Sequence, residues 1–248
     1  MIRRDLHTHT TYSDGTASPA EMVEAALRKG LAEIGISDHS YTSFDESYCM
    51  RREAVPAYVR EIDALKAAYA GRITVRCGVE QDLYSDQSTA PFDYAIGSVH
   101  YLYACGRYWP LDESAEILQD LSRTAFGGDF YALAEAYFAE VARFASRADV
   151  SIVGHFDLIA KFNEGGALFD ETHPRYLAAA RRSIDSLAAA GKTFEINTGA
   201  MARGLRTVPY PNAPLLAYIR RIGAPLVLSS DAHAPAFIAF AFDRFQDH

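Results

Sequence analysis

The sequence predicts an α/β fold of parallel strands joined by helical crossovers, and three observations lead there. Short apolar, β-rich runs alternate with helical patterns from one end of the 248 residues to the other. No Pro/Ser linker, internal repeat or low-complexity block breaks that alternation, so one domain over residues 1–248 is expected. Seven runs read as strands, which leaves a small, distorted barrel and an open doubly wound sheet both possible.

Taken in order, residues 2–6 form the first run and lead into DLHTHTTYSDG, residues 5–15. SPAEMVEAALRKG is the clearest helix: Ser18 is the N-cap, Pro19 takes the first helical position, Glu21 completes a capping box and Gly30 closes it. Residues 33–37 make the second strand and 52–70 a long helical pattern; 73–79 and 94–99 are the third and fourth strands. A short helix near 114–121 precedes AFGGDF (125–130), which reads as a loop before the helical stretch 131–147. Strand 151–153, helix 174–190, strand 193–196, helix 213–222 and strand 225–229 complete the alternation.

Hydrophobic residues make up 49% and charged residues 23%, a balance that supports a packed core rather than disorder. No run approaches the roughly 18 uninterrupted apolar residues of a spanning helix. The opening MIRRDLHTH lacks the apolar stretch of a secretion signal. A cytoplasmic location is therefore expected. The net charge of −8 and pI near 5.5 argue against sequence-independent binding to nucleic acid or an anionic membrane. They leave room for an anionic substrate, because bound metal ions can supply local positive charge. Cys49, Cys77 and Cys105 are widely spaced without a CxxC, which suits reduced thiols and disfavours a disulfide or thiolate site. Neither GxxxxGK[ST] nor a post-strand GxGxxG occurs. Oligomeric state is left open.

The strand ends carry the chemistry. They read HTH, SDH (37–39), GVE (78–80), GSVH (97–100), VGH (153–155), EIN (195–197) and SSDAH (229–233). In a parallel α/β fold all strand C-termini lie on one face. His7, His9, Asp14, His39, Glu80, His100, His155, Asp231 and His233 would then converge. His7 and His9 are two apart, so an extended backbone points both imidazoles the same way, and Asp231 with His233 repeats that geometry. A lone strand-end histidine is usually just a satisfied polar residue. Six of the eight histidines at such places are not explained that way; His173 and His248 receive no role. Imidazoles and carboxylates without thiolates suit zinc, manganese or iron. Nine donors exceed the needs of one ion, so two or three metals with a bridging carboxylate are expected.

DLHTHTTYSDG, GISDHS, GVE, SVH, GHFDL and SSDAH together resemble the polymerase-and-histidinol-phosphatase (PHP) superfamily of metal phosphoesterases. IGSVHYLYACGRYWPLDES (96–114), GHFDLIAKFNE (154–164) and FEINTGAMARGLRTVPYPN (194–212) are similar to its stand-alone histidinol-phosphate phosphatases. The resemblance implies a distorted (β/α)7 TIM-like barrel, its active site at the strand C-termini. It implies three divalent ions, zinc, manganese or iron, alone or mixed. Carried over by position, His7, His9, Glu80 and Asp231 hold the first, and Glu80 bridges to a second held by His100 and His155. Asp14, His39 and His233 hold the third; some relatives have histidine where Asp14 stands, which alters the character of that site.

The implied chemistry is in-line attack on phosphorus by a metal-activated hydroxide, with the third ion offsetting phosphate charge. Asp231 or His233 would protonate the leaving oxygen. Family members contact phosphate through basic residues in two loops, which points to Arg206 and Lys161, with Arg203 either a third contact or a surface residue. Arg suits bidentate contact and Lys a point contact. Asn197 is expected to shape its loop. Tyr101, Tyr103, Tyr108 and Trp109 either wall an imidazole or pack under a lid. Asp45 and Glu46 either meet a substrate ammonium or are simply solvated. The implied activity is hydrolysis of a small-molecule phosphate monoester, L-histidinol phosphate, in histidine biosynthesis. The alternatives are a PHP phosphoesterase acting on nucleotides or other small monoesters, and a metal-binding regulatory domain. Acidic charge and the lack of an insertion disfavour the former; nine filled ligand positions disfavour the latter.

Overall fold

Parallel pairing carries the chain from strand to strand around a ring in the computed structural model, which describes residues 4–245. The start of the first expected strand (residues 2 and 3) and His248 lie outside the described residues. The strands are β1 (Arg4–Asp5), β2 (Glu33–Ile36), β3 (Thr74–Asp82), β4 (Tyr94–Ser98), β5 (Tyr101–Ala104), β6 (Arg107–Pro110), β7 (Ile152–Val153), β8 (Thr193–Asn197) and β9 (Leu226–Ser229). Seven of them form one sheet in the order β1-β2-β3-β4-β7-β8-β9, every pairing parallel. A parallel bridge between Thr8 and Ala232 joins the two edges just past β1 and β9, and the His9 amide donates to the Ala232 carbonyl at 2.9 Å. The sheet is thus a nearly closed barrel rather than an open doubly wound sheet.

The helices are α1 (Pro19–Arg28), α2 (Val55–Ala68), α3 (Ala115–Phe126), α4 (Phe130–Ala142), α5 (Pro174–Ala189), α6 (Gly199–Ala202) and α7 (Ala213–Arg221). The capping box at Ser18 forms in both directions, Ser18 N to Glu21 Oε2 at 2.8 Å and Glu21 N to Ser18 Oγ at 3.3 Å. The pattern beginning at residue 52 opens as a 3₁₀ turn, Arg52–Ala54, because Pro56 belongs in the first turn of the α-helix that follows. α3 runs five residues beyond the expected 121 and stops where Gly127 takes φ 63°; Asp129 then caps α4. None of these helices is long and apolar enough to cross a membrane.

Two elements were not anticipated. β5 and β6 form an antiparallel hairpin beyond β4, turning at Cys105 and Gly106 with φ 51° and 80°. That turn needs two positive-φ residues, and Cys–Gly is not the usual signal for it. α6 is a single helical turn after β8. Cys49, Cys77 and Cys105 are free thiols.

Apolar packing between barrel and helices fills two clusters. Ile34, Ile36, Val75 and Tyr58 anchor α1 and α2; Tyr137, Phe138, Phe156, Tyr176 and Phe194 anchor α4 and α5. A third cluster, Ile96, Ile152 and Val227 with Leu6 and Tyr94, fills the lower barrel interior. Tyr94 reaches across it, its hydroxyl donating to the Leu6 carbonyl. Room for that ring comes from Gly35 and Gly78. A Cβ at Gly35 would lie 2.0 Å from the Tyr94 hydroxyl, and one at Gly78 would lie 2.2 Å from its Cζ. With the lower interior sealed by hydrocarbon, polar inward-facing residues are confined to the strand C-termini.

Gly35→Ala is expected to lower unfolding free energy by roughly 1–3 kcal/mol, the usual cost of overpacking, read as a lower urea midpoint at unchanged slope. Adding Tyr94→Phe should recover part of that loss, because the clash at Gly35 is with the hydroxyl. The same addition should not rescue Gly78→Ala, where the clash is with the ring.

Candidate metal centre

Glu80 lies on the inner face of β3, 1% exposed, and five imidazoles surround its carboxylate. Oε2 lies 2.8 Å from His39 Nδ1, 3.2 Å from His7 Nε2 and 3.5 Å from His9 Nε2. Oε1 lies 2.9 Å from His155 Nε2 and 3.3 Å from His100 Nε2. Asp231 Oδ1 approaches the same corner, 3.2 Å from His9 Nε2 and 3.7 Å from His7 Nε2. Asp14 Oδ1 is 3.6 Å from His39 Nε2, and its Oδ2 is 3.2 Å from His233 Nε2. The structure therefore brings all nine sequence-identified donors together.

Among the described residues, three sets have ligand atoms within 4.8 Å of one another: His7–His9–Glu80, His39–Glu80–His100 and His9–Asp14–His39–His233. His9 and His39 each belong to two sets, whereas the carried-over grouping gave each to one. His155 joins through Glu80 alone. Buried His7 Nε2, both nitrogens of His9 and Glu80 Oε2 have no hydrogen-bond partner, despite these short distances. Leaving each such atom unpaired costs about 1–3 kcal/mol, and native folds rarely accept several at one point. Converging lone pairs on imidazole and carboxylate fit divalent cations of the zinc, manganese and iron type. The residues present fit the group.

Charge is arranged accordingly. Burial works against ionised Glu80, but His7, His39 and His100 outweigh it and hold the carboxyl well below its ordinary range. Burial also opposes a charge on Asp231, and Arg203 with His7 overcomes it. Burial, reinforced by His233 and His39, drives His9 down to about 3, so it stays neutral and able to ligate.

Behind the donors stands a layer of carboxylates absent from the sequence reading. Glu195 Oε1 lies 2.8 Å from His7 Nδ1, while Oε2 accepts from the His155 amide at 3.1 Å and from Asn197 Nδ2 at 3.0 Å. Asp82 Oδ2 lies 3.2 Å from His100 Nδ1. A proton on Nδ1 facing a carboxylate leaves Nε2 free for a cation. Asp38 accepts from the amide and hydroxyl of Thr10, both at 2.8 Å, and fixes the loop after His9. The available signal was strand periodicity: Glu195 stands two before Asn197, and Asp82 two after Glu80. Asp231 itself sits in left-handed backbone, φ 51°, a strain of about 1–3 kcal/mol that tends to mark functional sites. Gly199 makes room for it, since a Cβ there would lie 2.7 Å from Asp231 Oδ2.

A cavity of about 340 Å³ opens above the donors, with Lys161 and Arg203 on its wall. Lys161 Nζ donates to the Asp112 carbonyl at 2.7 Å and to its carboxylate at 3.2 Å. Arg203 Nη2 donates to Asp231 Oδ2 at 3.0 Å. Arg206 was expected beside the phosphate, but it does not line the cavity. It forks onto Glu171 at 2.8 and 3.1 Å. The chain turns at Gly204, φ 71°, between the two arginines, and sends Arg203 inward and Arg206 away.

Asn197 Oδ1 accepts from the Gly199 amide at 2.9 Å, which shapes its loop. Tyr48, Tyr101 and Asp45 line the cavity, the Tyr101 hydroxyl donating to Asp45 at 2.7 Å. Glu46 instead accepts from exposed Tyr41. Tyr103 is 56% exposed, Tyr108 stacks on Phe44, and buried Trp109 lies under Arg107. His173 caps α5.

Glu195→Gln is expected to weaken divalent-cation binding roughly 10–100-fold, as losses behind metal-bound histidines do. Chelator competition measures it, and ion retention equal to the parent would remove Glu195 from this role.

A PHP domain model matches residues 5–199. The probable histidinol-phosphatase of Deinococcus radiodurans is 32% identical, the match covering 96% of this chain and 89% of that protein. The putative histidinol phosphatase of Listeria monocytogenes has the same fold, with a TM-score of 0.85 at 22% identity over 98% of this chain and all of that one. So does the Lactococcus lactis histidinol phosphate phosphatase, solved with Zn, L-histidinol and phosphate, with a TM-score of 0.71 at 21% identity over 99% and 93% of the two chains. With its donors at the ends of parallel barrel strands and this match over most of its length, the chain belongs to the PHP-domain family of metal-dependent phosphatases.

Proposed function

We propose that the chain hydrolyses L-histidinol phosphate to L-histidinol and phosphate, as one phosphoesterase domain spanning residues 1–248. The observation that carries this reading is a single cavity with nine metal-type donors at its base, cations on its wall and acids nearby. The histidinol-phosphatase names of its relatives support it, as does the Lactococcus protein's complex with Zn, L-histidinol and phosphate.

In this reading three divalent ions, zinc, manganese or iron, are held by the chain. His7, His9, Asp231 and Glu80 Oε2 serve the first, His100, His155 and Glu80 Oε1 the second, and Asp14, His39 and His233 the third. Bound ions supply activation of water and charge to offset the phosphoryl oxygens. Arg203 and Lys161 grip those oxygens from the side, Arg203 as a planar fork and Lys161 as a point charge. Lys161 spends its known bonds on Asp112, which leaves the third ammonium proton for substrate.

Asp231 and His233 both line the cavity and are the two candidates for carrying a proton to the leaving alkoxide, Asp231 by first taking one up, since Arg203 and His7 hold it ionised. Asp45 and Asp112 meet the substrate's ammonium, and Tyr48 and Tyr101 flank its imidazole. These acids disfavour bisphosphates, whose second phosphate they would repel. A cytoplasmic location fits the acidic, reduced-thiol composition.

Purified protein reconstituted with manganese or zinc should release phosphate from L-histidinol phosphate, and far less from AMP or 3′,5′-bisphosphates. A preference for the nucleotides would move the assignment to the second reading. Chelation should abolish release and added metal restore it. Arg203→Met should lower kcat/KM on the order of hundredfold, the usual cost of one lost donor to transition-state charge.

A further inference from the structure

Glu171 lies outside the cavity and touches none of the nine donors, yet it collects four hydrogen bonds. Oε1 accepts from Asn163 Nδ2 at 3.0 Å and Arg206 Nη1 at 2.8 Å; Oε2 accepts from Arg206 Nη2 at 3.1 Å and Asn212 Nδ2 at 2.9 Å. Arg206 Nη1 also donates to the carbonyl of Ala160, the residue immediately before Lys161. The Arg206 side chain is 3% exposed and that of Glu171 16%. Arg203 and Lys161 come from different crossovers, after β8 and after β7. Among the described residues, other side-chain ties between these loops are exposed Glu164 to Thr207 and, at 3.6 Å, to Arg206 Nε, and Asp157 to the Asn212 amide.

We propose that Glu171 is a positioning residue which, by clamping Arg206 between the two loops, sets the spacing of Lys161 and Arg203 for phosphate. A buried, bidentate Arg–carboxylate pair is the strongest and most directional tie available between two loops. An exposed pair such as Glu164 with Thr207 competes with water and holds little. Removing the Glu171 charge leaves the buried guanidinium to the exposed Glu164 carboxylate, 3.6 Å from Nε, and the expected relief is a shift of the Ala160–Lys161 peptide. The consequence falls on phosphate affinity, since no donor to a cation moves.

The inference rests on the reading of Lys161 and Arg203 as phosphate contacts. Its test is steady-state kinetics on L-histidinol phosphate alongside calorimetric binding of inorganic phosphate, both with metal-loaded protein. Glu171→Gln is expected to raise KM and the phosphate Kd together by about tenfold, a loss near 1.4 kcal/mol, with kcat and ion content held. Arg206→Met should do the same, and the double variant should be no worse than either alone, because both break one clamp. Unchanged KM and Kd in folded Glu171→Gln would overturn the proposal, as would a fall in kcat that follows lost ions. Should Glu171→Gln not fold, Glu171→Asp carries the test: it keeps the charge, shortens the reach, and should give a smaller rise. A parent that releases no phosphate from histidinol phosphate sinks the substrate reading alone, because the phosphate-binding arm still reads the clamp. A parent that binds no phosphate overturns the clamp as well.

Discussion

Glu80 is a carboxylate with almost no access to water, and its burial sets the terms for everything near it. An isolated ion in such a place would cost several kcal/mol even after relaxation, so the fold must surround it with compensating groups. β3 lies between β2 and β4, which puts Glu80 within reach of residues from both neighbours and from across the barrel. His39 is bridged to it through the backbone as well as through its ring. The lower barrel is filled by Tyr94 and aliphatic side chains, so water has no route from beneath. The two carboxylate oxygens face different sets of imidazoles, and in the proposed reading this lets one side chain serve two cations.

Around that centre the polar residues fall into layers with separate tasks. The innermost present lone pairs. Glu195 and Asp82 behind them fix which nitrogen of His7 and His100 carries the proton, so the donors are aimed before any ion arrives. Asp38 and Asn197 hold backbone, tying the loops after β1 and β8. Farther out, Glu171 and Arg206 join two loops that share no strand pairing.

Much of this was legible in the sequence because parallel topology converts strand ends into neighbours. Period-two patterning and cap signals located the seven sheet strands and α1, and the histidines after them marked one rim. Barrel closure was legible only through the family resemblance: it depends on Thr8 meeting Ala232, a contact that no local pattern encodes. The third strand was expected to end at residue 79, yet β3 continues through Asp82 because Ser40 and the β4 backbone pair with it. Glu195 was hidden in plain alternation, since an inward carboxylate and an inward leucine leave the same period. Arg203 and Arg206, three apart, lie respectively on the cavity wall and away from it because a turn at Gly204 sets their directions. The aromatics of β5 and β6 were read as either a wall or packing under a lid, but the hairpin itself was missed without an Asn–Gly turn.

The seam between the first and last strands has a consequence for biogenesis. Asp5 and Ser230 are hydrogen-bonded across a separation of 225 positions, and His7 meets Asp231 beside them. Such distant partners close late and slowly, since chain entropy must be surrendered before their contact returns anything. A ribosome delivers residues from the amino end at about 5–20 per second, so five of the six site imidazoles are made before the final carboxylate, Asp231. Cation retention therefore waits for the strand that brings Asp231, and a polypeptide interrupted before it would expose ligands without being able to keep what they catch.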